Sequence, residues 1–127
     1  MNVSRAALAA AALSGATAVV AGAFGAHALR ASLDAEALAV WRTAVEYQFW
    51  HALALLGVGA IARAESSAAL KGATAAFAVG IVLFCGSLYL LVLGAPRWIG
   101  AVTPIGGVGL IVGWISLAVY AFRRSGD

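Results

Sequence analysis

The sequence predicts an all-α integral membrane protein, a four-helix antiparallel bundle that forms one domain over residues 1–127. Four apolar stretches, each long enough to cross a bilayer as a helix, fill most of the chain. Hydrophobic residues make up 64% of the sequence and charged residues only 10%, and the mean hydropathy is +0.99, values that a water-soluble domain would not have. The connections are too short for a separate soluble domain, so the bundle itself must carry the function.

The four predicted transmembrane segments cover residues 6–27, 43–62, 72–94 and 100–122. A helix rises about 1.5 Å per residue, so roughly 20 residues cross the ~30 Å hydrocarbon core of a bilayer. The first segment also resembles a secretory signal peptide, since Arg5 precedes it and Ala26-His27-Ala28 imitates a cleavage site. Its apolar run is longer than an ordinary signal-peptide core, which favours a retained helix.

The connecting segments contain signals for helix boundaries. Asp34 is an N-cap candidate for a helix that begins near Ala35, follows the outer interface and then turns into the membrane. Residues 63–67 predict a short polar turn, and Pro96 ends the third helix because proline lacks an amide hydrogen. With four segments both termini lie on one side, together with five of the eight basic residues: Arg5, Arg63, Lys71, Arg123 and Arg124. This excess predicts cytoplasmic termini by the positive-inside rule.

Nearly all strongly polar residues within the predicted segments fall in the half of the bundle opposite the termini. This predicted outer cluster, a candidate ligand site or polar network, contains His27, Arg42, Glu46, Tyr47, Gln48, His51, Ser87 and Thr103. The inner half holds no ionisable side chain apart from a tyrosine at its edge. A continuous polar path across one protomer is therefore not expected.

The second segment contributes most of the outer cluster. At about 100° per residue, one half of the helix circumference holds Arg42, Thr43, Glu46, Tyr47 and His51, and Gln48 points elsewhere. An ionised Glu in hydrocarbon costs roughly 2.5–3.5 kcal/mol, so Glu46 is expected to face protein or trapped water and to pair with Arg42 or bind a proton. Two interpretations stay open: a structural hydrogen-bond network between helices, or an outward-facing cup for a small ligand or a proton.

Metal, cofactor and catalytic sites are not predicted. His27, His51, Glu46 and Cys85 carry ligand atoms, but their spacing is not that of a helical metal motif, and the two histidines lie at depths about 10 Å apart, which disfavours bis-histidine haem. The sequence has no catalytic triad, phosphate-binding loop or paired carboxylates. The net charge of +3 comes from basic residues scattered at helix ends, so nucleic acid binding is not expected either.

Small residues recur at helical spacing in several segments. The glycines of these rows are Gly15, Gly22 and Gly25 in the first segment and Gly106, Gly109 and Gly113 in the fourth. In a membrane, such rows let helix backbones approach closely, and this contact is a main source of association energy. The rows predict packing seams within the bundle, with an oligomer interface as the less favoured interpretation.

Four strings in the chain are distinctive: GAFGAHAL (22–29), TAVEYQFWHALALL (43–56), GIVLFCGSLYLL (80–91) and TPIGG (103–107). They closely resemble the bacterial domain-of-unknown-function 423 family, which is related to the eukaryotic transmembrane protein 256. The resemblance extends over nearly the whole chain, with a motif in each predicted helix. It implies a small four-helix protein of the bacterial inner membrane, and it carries over no catalytic residue, cofactor or ligand.

Two classes of function fit these features. The favoured class is a structural, assembly or interaction protein whose outer cluster is an internal polar network. The alternative is a protein that binds or transports a small molecule, a lipid or a proton at that cluster. An enzyme is the third choice, because no nucleophile and base occur at readable spacing. The expected partners are the lipid bilayer and either a second copy of the chain or another membrane protein.

Overall fold

A computed structural model describes residues 2–124, and within this range the chain forms four long α-helices and no strand. These helices are α1 (Val3–His27), α2 (Ala35–Ile61), α3 (Ala68–Val92) and α4 (Val102–Arg124). Short 3-10 turns, Leu29–Ala31 and Arg97–Ala101, lie in the connections before α2 and α4. The predicted all-α, four-helix class is confirmed.

Three of the helices begin where a polar side chain can satisfy a free amide group. Side-chain oxygens of Asn2, Asp34 and Ser67 accept hydrogen bonds from amides in the first turns of α1, α2 and α3. At the end of α3, Gly94 has a φ of 96°, a left-handed conformation that glycine adopts without steric cost, and Pro96 follows it. The interfacial segment expected before residue 43 is the first part of one continuous helix, α2.

Three helical segments are long and apolar enough to cross a membrane: α1, α3 and the segment Arg97–Arg124 that contains α4. The helix α2 is equally long, but polar residues such as Glu46, Gln48 and His51 lower its apolar character, and it is not in this group. A transmembrane course for α2 therefore stays a prediction. It nevertheless packs against both α1 and α3. The pairs of residues in contact show that α2 runs antiparallel to both of them.

Helices that follow one another in the chain are also neighbours in space. The helix α1 packs on α2, α2 on α3 and α3 on α4, with a smaller contact between α1 and α3. Small residues such as Ala7, Ala44 and Ala73 are fully buried between them, and the larger Leu55 and Phe77 fill the remaining space. Small side chains at these positions let the helix backbones approach closely.

Glycines lie at the tightest helix crossings. A Cβ atom on Gly106 would overlap the backbone of Phe84 on α3, and one on Gly25 would lie 2.6 Å from the Trp41 ring on α2. An added Cβ would also come within 3.3 Å of a facing helix at Gly22, Gly109 and Gly113. At Gly15 it would meet only an ordinary contact, 4.0 Å away. Most of these sites therefore have no room for a side chain unless the neighbour moves.

Two hydrogen bonds from α2 side chains to the backbone of α1 set the register of the first pair of helices. The Trp41 indole nitrogen donates to the Ala21 carbonyl oxygen at 2.8 Å. Two turns further along α2, the Gln48 side-chain nitrogen donates to the Ser14 carbonyl oxygen at 3.0 Å. An advance of seven residues along α2 thus corresponds to a return of seven residues along α1, so the two helices run antiparallel in a fixed register.

Candidate functional site

Gln48 is the centre of a hydrogen-bond network that joins α1, α2 and α3. Its side-chain nitrogen donates to the Ser14 carbonyl oxygen at 3.0 Å and to the Thr17 hydroxyl at 2.7 Å. Its side-chain oxygen accepts from the Tyr89 hydroxyl at 2.7 Å. Gln48 is only 6% exposed, and both of its amide protons are used. The network therefore ties three helices together at one buried amide.

His51 joins α2 to α4. Its Nε2 accepts a hydrogen bond from the Trp114 indole nitrogen at 3.2 Å, and its Nδ1 lies 2.6 Å from the Tyr47 carbonyl oxygen. Because Nε2 is an acceptor, a neutral ring carries its proton on Nδ1 and donates it to that carbonyl. The ring centroid also lies 5.7 Å from Phe77. With both nitrogens bonded, His51 is a link between helices and has no free nitrogen for a ligand.

Ser87 and Thr103 connect α3 to the first turn of α4. Their hydroxyl oxygens lie 2.6 Å apart. The Ser87 hydroxyl donates to the Phe84 carbonyl oxygen at 2.9 Å, so Thr103 is the donor in the pair. Pro104 follows in the same turn, where its missing amide hydrogen costs no helix bond. The pair is a third buried link between helices.

Arg42, Glu46 and His27 lie apart from these links, and all three are exposed. Within residues 2–124, neither Arg42 nor Glu46 has an ion pair or a hydrogen bond from its side chain. The expected Arg42–Glu46 ion pair is thus not formed, and Glu46 points outward from the bundle. Glu46 points outward because the packing of α2 buries Ala44 and Gln48 on the opposite side.

Glu46 has a definite height in the bundle. The register between α1 and α2 sets it level with Ala16. Arg42 lies one turn closer to the start of α2. Both charged residues border a shallow groove of about 200 Å³ that opens beside Gly22 of α1.

A larger open groove of about 400 Å³ lies between α1 and α3, with α2 as its floor. Its lining is mainly apolar, and Gln48 and Tyr89 contribute the polar atoms together with Ser14 and Thr17. The Ser14 hydroxyl oxygen is buried and has no hydrogen-bond partner among the described residues. Such a surface can hold an apolar chain.

Another polar group lies at the end of the bundle where α1 begins and α4 ends. The Tyr120 hydroxyl donates to the Glu65 carboxylate, and Arg124 pairs with that carboxylate at 3.3 Å. Arg124 also donates to the Tyr120 oxygen at 3.2 Å. This group fastens the α2–α3 connection to α4. The sequence contains no signal for it, because the residues are distant in the chain and lie at helix ends.

The residues considered as metal or haem ligands are dispersed. His27 is exposed at the end of α1, Glu46 faces outward from α2, and Cys85 is buried in α3. His51 has both ring nitrogens engaged in hydrogen bonds. Across residues 2–124, no three His, Cys, Asp or Glu side chains come together in a group that could hold a metal ion.

The structure thus divides the eight residues of the predicted outer cluster among several places. Gln48, His51 with Tyr47, and Ser87 with Thr103 form three separate links, whereas His27, Arg42 and Glu46 are exposed. Their partners were not identified from the sequence: Thr17 and Trp114 give side chains, and Ser14 gives a backbone oxygen. A carbonyl group carries no sequence signal, since every residue has one.

The central part of the chain matches a known family. A family model described as "Protein of unknown function (DUF423)" matches residues 21–107. This range includes Gln48, His51, Tyr89 and the Ser87–Thr103 pair. The chain belongs to this family. The DUF423 resemblance predicted from the four strings is therefore confirmed.

The DUF423 protein is similar over most of its length to bacterial membrane proteins. It is 46% identical to the UPF0382 membrane protein SSP2132 of Staphylococcus saprophyticus over 112 residues, 88% of this chain and 92% of the relative. A UPF0382 membrane protein of Haemophilus influenzae is 43% identical, with 88% of this chain and 90% of the relative covered. The UPF0382 inner membrane protein YgdD of Escherichia coli K12 is 41% identical, with 89% and 86% covered.

These relatives and the apolar helices identify the chain as a membrane-embedded helical protein. The relatives' names mention the membrane and no substrate, ligand or reaction. No solved structure matches the chain.

Proposed function

We propose that this DUF423 protein is a structural or assembly protein of the bacterial membrane, and that it binds another membrane-embedded protein. The contact is made by the outward face of α2, which we call the α2 face and define as Arg42, Glu46, Phe49, Leu53 and Leu56. The observation that carries the proposal is the exposure of Arg42 and Glu46 without a partner in the same protomer. The buried polar residues already form hydrogen bonds between helices, so few of their polar groups are free to bind a substrate.

Glu46 lies near the middle of the membrane in this proposal. Because α2 packs antiparallel to α1 and α3, which are both long and apolar enough to span, we infer that α2 crosses with them. Glu46 is level with Ala16, which is midway between Arg5 and His27, the ionisable residues near the two ends of α1. At 1.5 Å per residue, the Glu46 backbone is about 16 Å from either end.

A charge at that depth is expensive when it faces lipid, by roughly 2.5–3.5 kcal/mol on insertion scales. Arg42 is one turn closer to the interface and has a long stem that can carry its guanidinium towards water. The Glu46 side chain is too short to carry its carboxylate to water in the same way. A protein surface that supplies a donor to the carboxylate lowers the cost, whereas hydrocarbon tails have none to supply. The outward Glu46 therefore favours a protein neighbour.

Photo-crosslinking in bacterial membranes tests the interaction function. A photoreactive amino acid at Phe49 should give a discrete protein adduct, and adding Glu46→Arg should lower the yield of that adduct. The matched control is the same probe at Ile111, a large exposed residue on α4, which should give lipid adducts only. Lipid adducts alone at Phe49 would refute the interaction function.

We further propose that all four helices cross the membrane and that both termini are cytoplasmic. The supporting feature is the excess of basic residues at the end of the bundle that holds the termini. An impermeant thiol reagent added outside the cell should label a cysteine at Ser32 and leave one at Ser66 unlabelled. The reverse pattern would overturn the orientation.

A second candidate function is binding of a lipid or small apolar molecule in the groove between α1 and α3. The favouring observation is its volume of about 400 Å³ together with its mainly apolar lining. Ala78→Phe would fill part of this groove, because Ala78 lines it. Native mass spectrometry should then detect less co-purified lipid than with Val108→Phe, a control on the exposed side of α4. Equal lipid retention would refute a specific groove.

A further inference from the structure

The α2 face has the residue spacing of a helix that pairs with another helix. All five of its residues are exposed. Successive members are four, three, four and three residues apart, an alternation that keeps one stripe against a neighbour in left-handed helix pairs. The charged members are Arg42 and Glu46, and Phe49, Leu53 and Leu56 continue the stripe as large apolar side chains. Such a stripe can pack along a partner helix for several turns.

The apolar part of the α2 face borders a depression of suitable size. A groove of about 160 Å³ lies beside Phe49 and Leu53, because the facing residues of α1, Ala12 and Gly15, are small. Phe49 and Leu53 themselves protrude, with exposed fractions of 41% and 51%. The surface thus carries both protruding side chains and a space that admits one. A surface that packs against a second copy of itself needs both features.

The charges of the α2 face are also complementary to a second copy. Two copies inserted in the same direction and related by a twofold axis along the membrane normal carry Arg42 and Glu46 at equal depths. Along the membrane normal, Arg42 of one copy is then offset from Glu46 of the second copy by one helical turn, about 5–6 Å. A long arginine side chain can span this offset. Symmetry forms both pairs at once, so all four charges are matched. An unrelated partner would need its own opposite charges at the same two depths.

We propose that two copies of this chain pair through their α2 faces, with reciprocal ion pairs between Arg42 of each copy and Glu46 of the other. This inference rests on the proposed interaction function and identifies the partner. It also explains why the two charges do not pair within the protomer, since each has its counterpart across the interface.

Charge variants in two differently tagged copies test the reciprocal pairs. Disulfide formation between Leu53→Cys chains, in a Cys85→Ala background, measures pairing in the membrane. R42E in both copies, or E46R in both, should lower the cross-linked yield at least ten-fold because like charges then meet. Co-expression of an R42E chain with an E46R chain should restore the yield, specifically as the species that contains both tags. A mixed yield no higher than that of either variant alone would overturn the reciprocal pairs.

The experiment includes controls for the folding of each variant. Arg42 and Glu46 have no partner in the protomer, so the variants should remain folded in detergent and still unfold cooperatively, as followed by circular dichroism. If a single variant unfolds, the exchange R42E/E46R in one chain preserves both pairs in reversed form and should still cross-link. Failure of that exchange in a folded chain would overturn the proposal.

The two proposals fail in different ways. A protein adduct at Phe49 with a mass other than that of two chains, and no disulfide between Leu53→Cys chains, would overturn the second copy and leave the interaction function standing. Lipid adducts at Phe49 together with no disulfide would overturn both.

Discussion

Replacement of Gly106 by alanine should destabilise the bundle, whereas the same replacement at Gly86 should stabilise it. At Gly106 the added Cβ would lie 2.7 Å from the Phe84 Cα and 2.8 Å from the carbonyl carbon of Leu83. Ordinary contacts begin near 3.4 Å, so α3 and α4 must separate locally by ~0.7 Å or more. The Phe84 amide nitrogen lies closer still, and all three of these atoms belong to the backbone and cannot rotate away. Overpacking of this kind costs about 1–3 kcal/mol, and a rigid site lies towards the upper end.

Gly86 is the matched control, because it also lies within a helix and nothing is found within 4 Å of an added Cβ there. Alanine should gain up to about 1 kcal/mol from helix propensity at such a site. The same gain applies at Gly106. The difference in unfolding free energy between the two variants therefore isolates the overpacking cost, about 1–3 kcal/mol.

Reversible unfolding by SDS titration in mixed micelles, followed by circular dichroism, measures this difference. Wild type should fall between the two variants, with Gly86→Ala the most stable. If Gly106→Ala unfolds at the same SDS fraction as Gly86→Ala or a higher one, an added Cβ atom at Gly106 does not destabilise the contact between α3 and α4, and the overpacking argument is refuted.

Two further predictions concern the buried hydrogen bonds. Gln48→Leu leaves the Tyr89 hydroxyl without its acceptor and should lower the free energy of unfolding by about 1–3 kcal/mol. Tyr89→Phe, added to it, removes the stranded hydroxyl. The loss in the double variant should therefore be smaller than the sum of the two single losses, by about 0.6–1.7 kcal/mol. Strict additivity in SDS unfolding would show that the two side chains do not interact. His51→Leu strands the Trp114 indole N–H and should lower the melting temperature in detergent, and Trp114→Phe added to it should have little further effect. An unchanged melting curve for His51→Leu would mean that this hydrogen bond is not formed in the membrane protein.

The helices and their connections could be predicted from the sequence because their signals are local. Apolar runs of sufficient length, the Asp34 cap and the Pro96 break act within a few residues of where they occur. Length and composition are also enough to exclude a soluble domain, since no rearrangement of helices can cover so much apolar surface with polar groups.

The orientation of α2 could not be predicted in the same way. In a soluble protein the apolar face of a helix is the buried face, but lipid is as apolar as a protein core, so the pattern loses this meaning in a membrane. Sequence periodicity grouped Glu46 with His51 and set Gln48 apart. The structure buries Gln48 and His51 and exposes Glu46, because the packing of Ala44 and Leu55 decides which side faces inward.

The order in which the helices pack has a consequence for how the chain reaches its membrane. Each helix packs on the one synthesised just before it, so every new interface can form as soon as the next segment leaves the ribosome. Gln48 donates both of its amide protons to α1, which means that α2 can pair with its predecessor as soon as both have been made. When α3 follows, the Tyr89 hydroxyl completes the remaining bond. Insertion therefore does not require any segment to wait in lipid for a partner encoded much later, and a fold with such local contacts should assemble quickly.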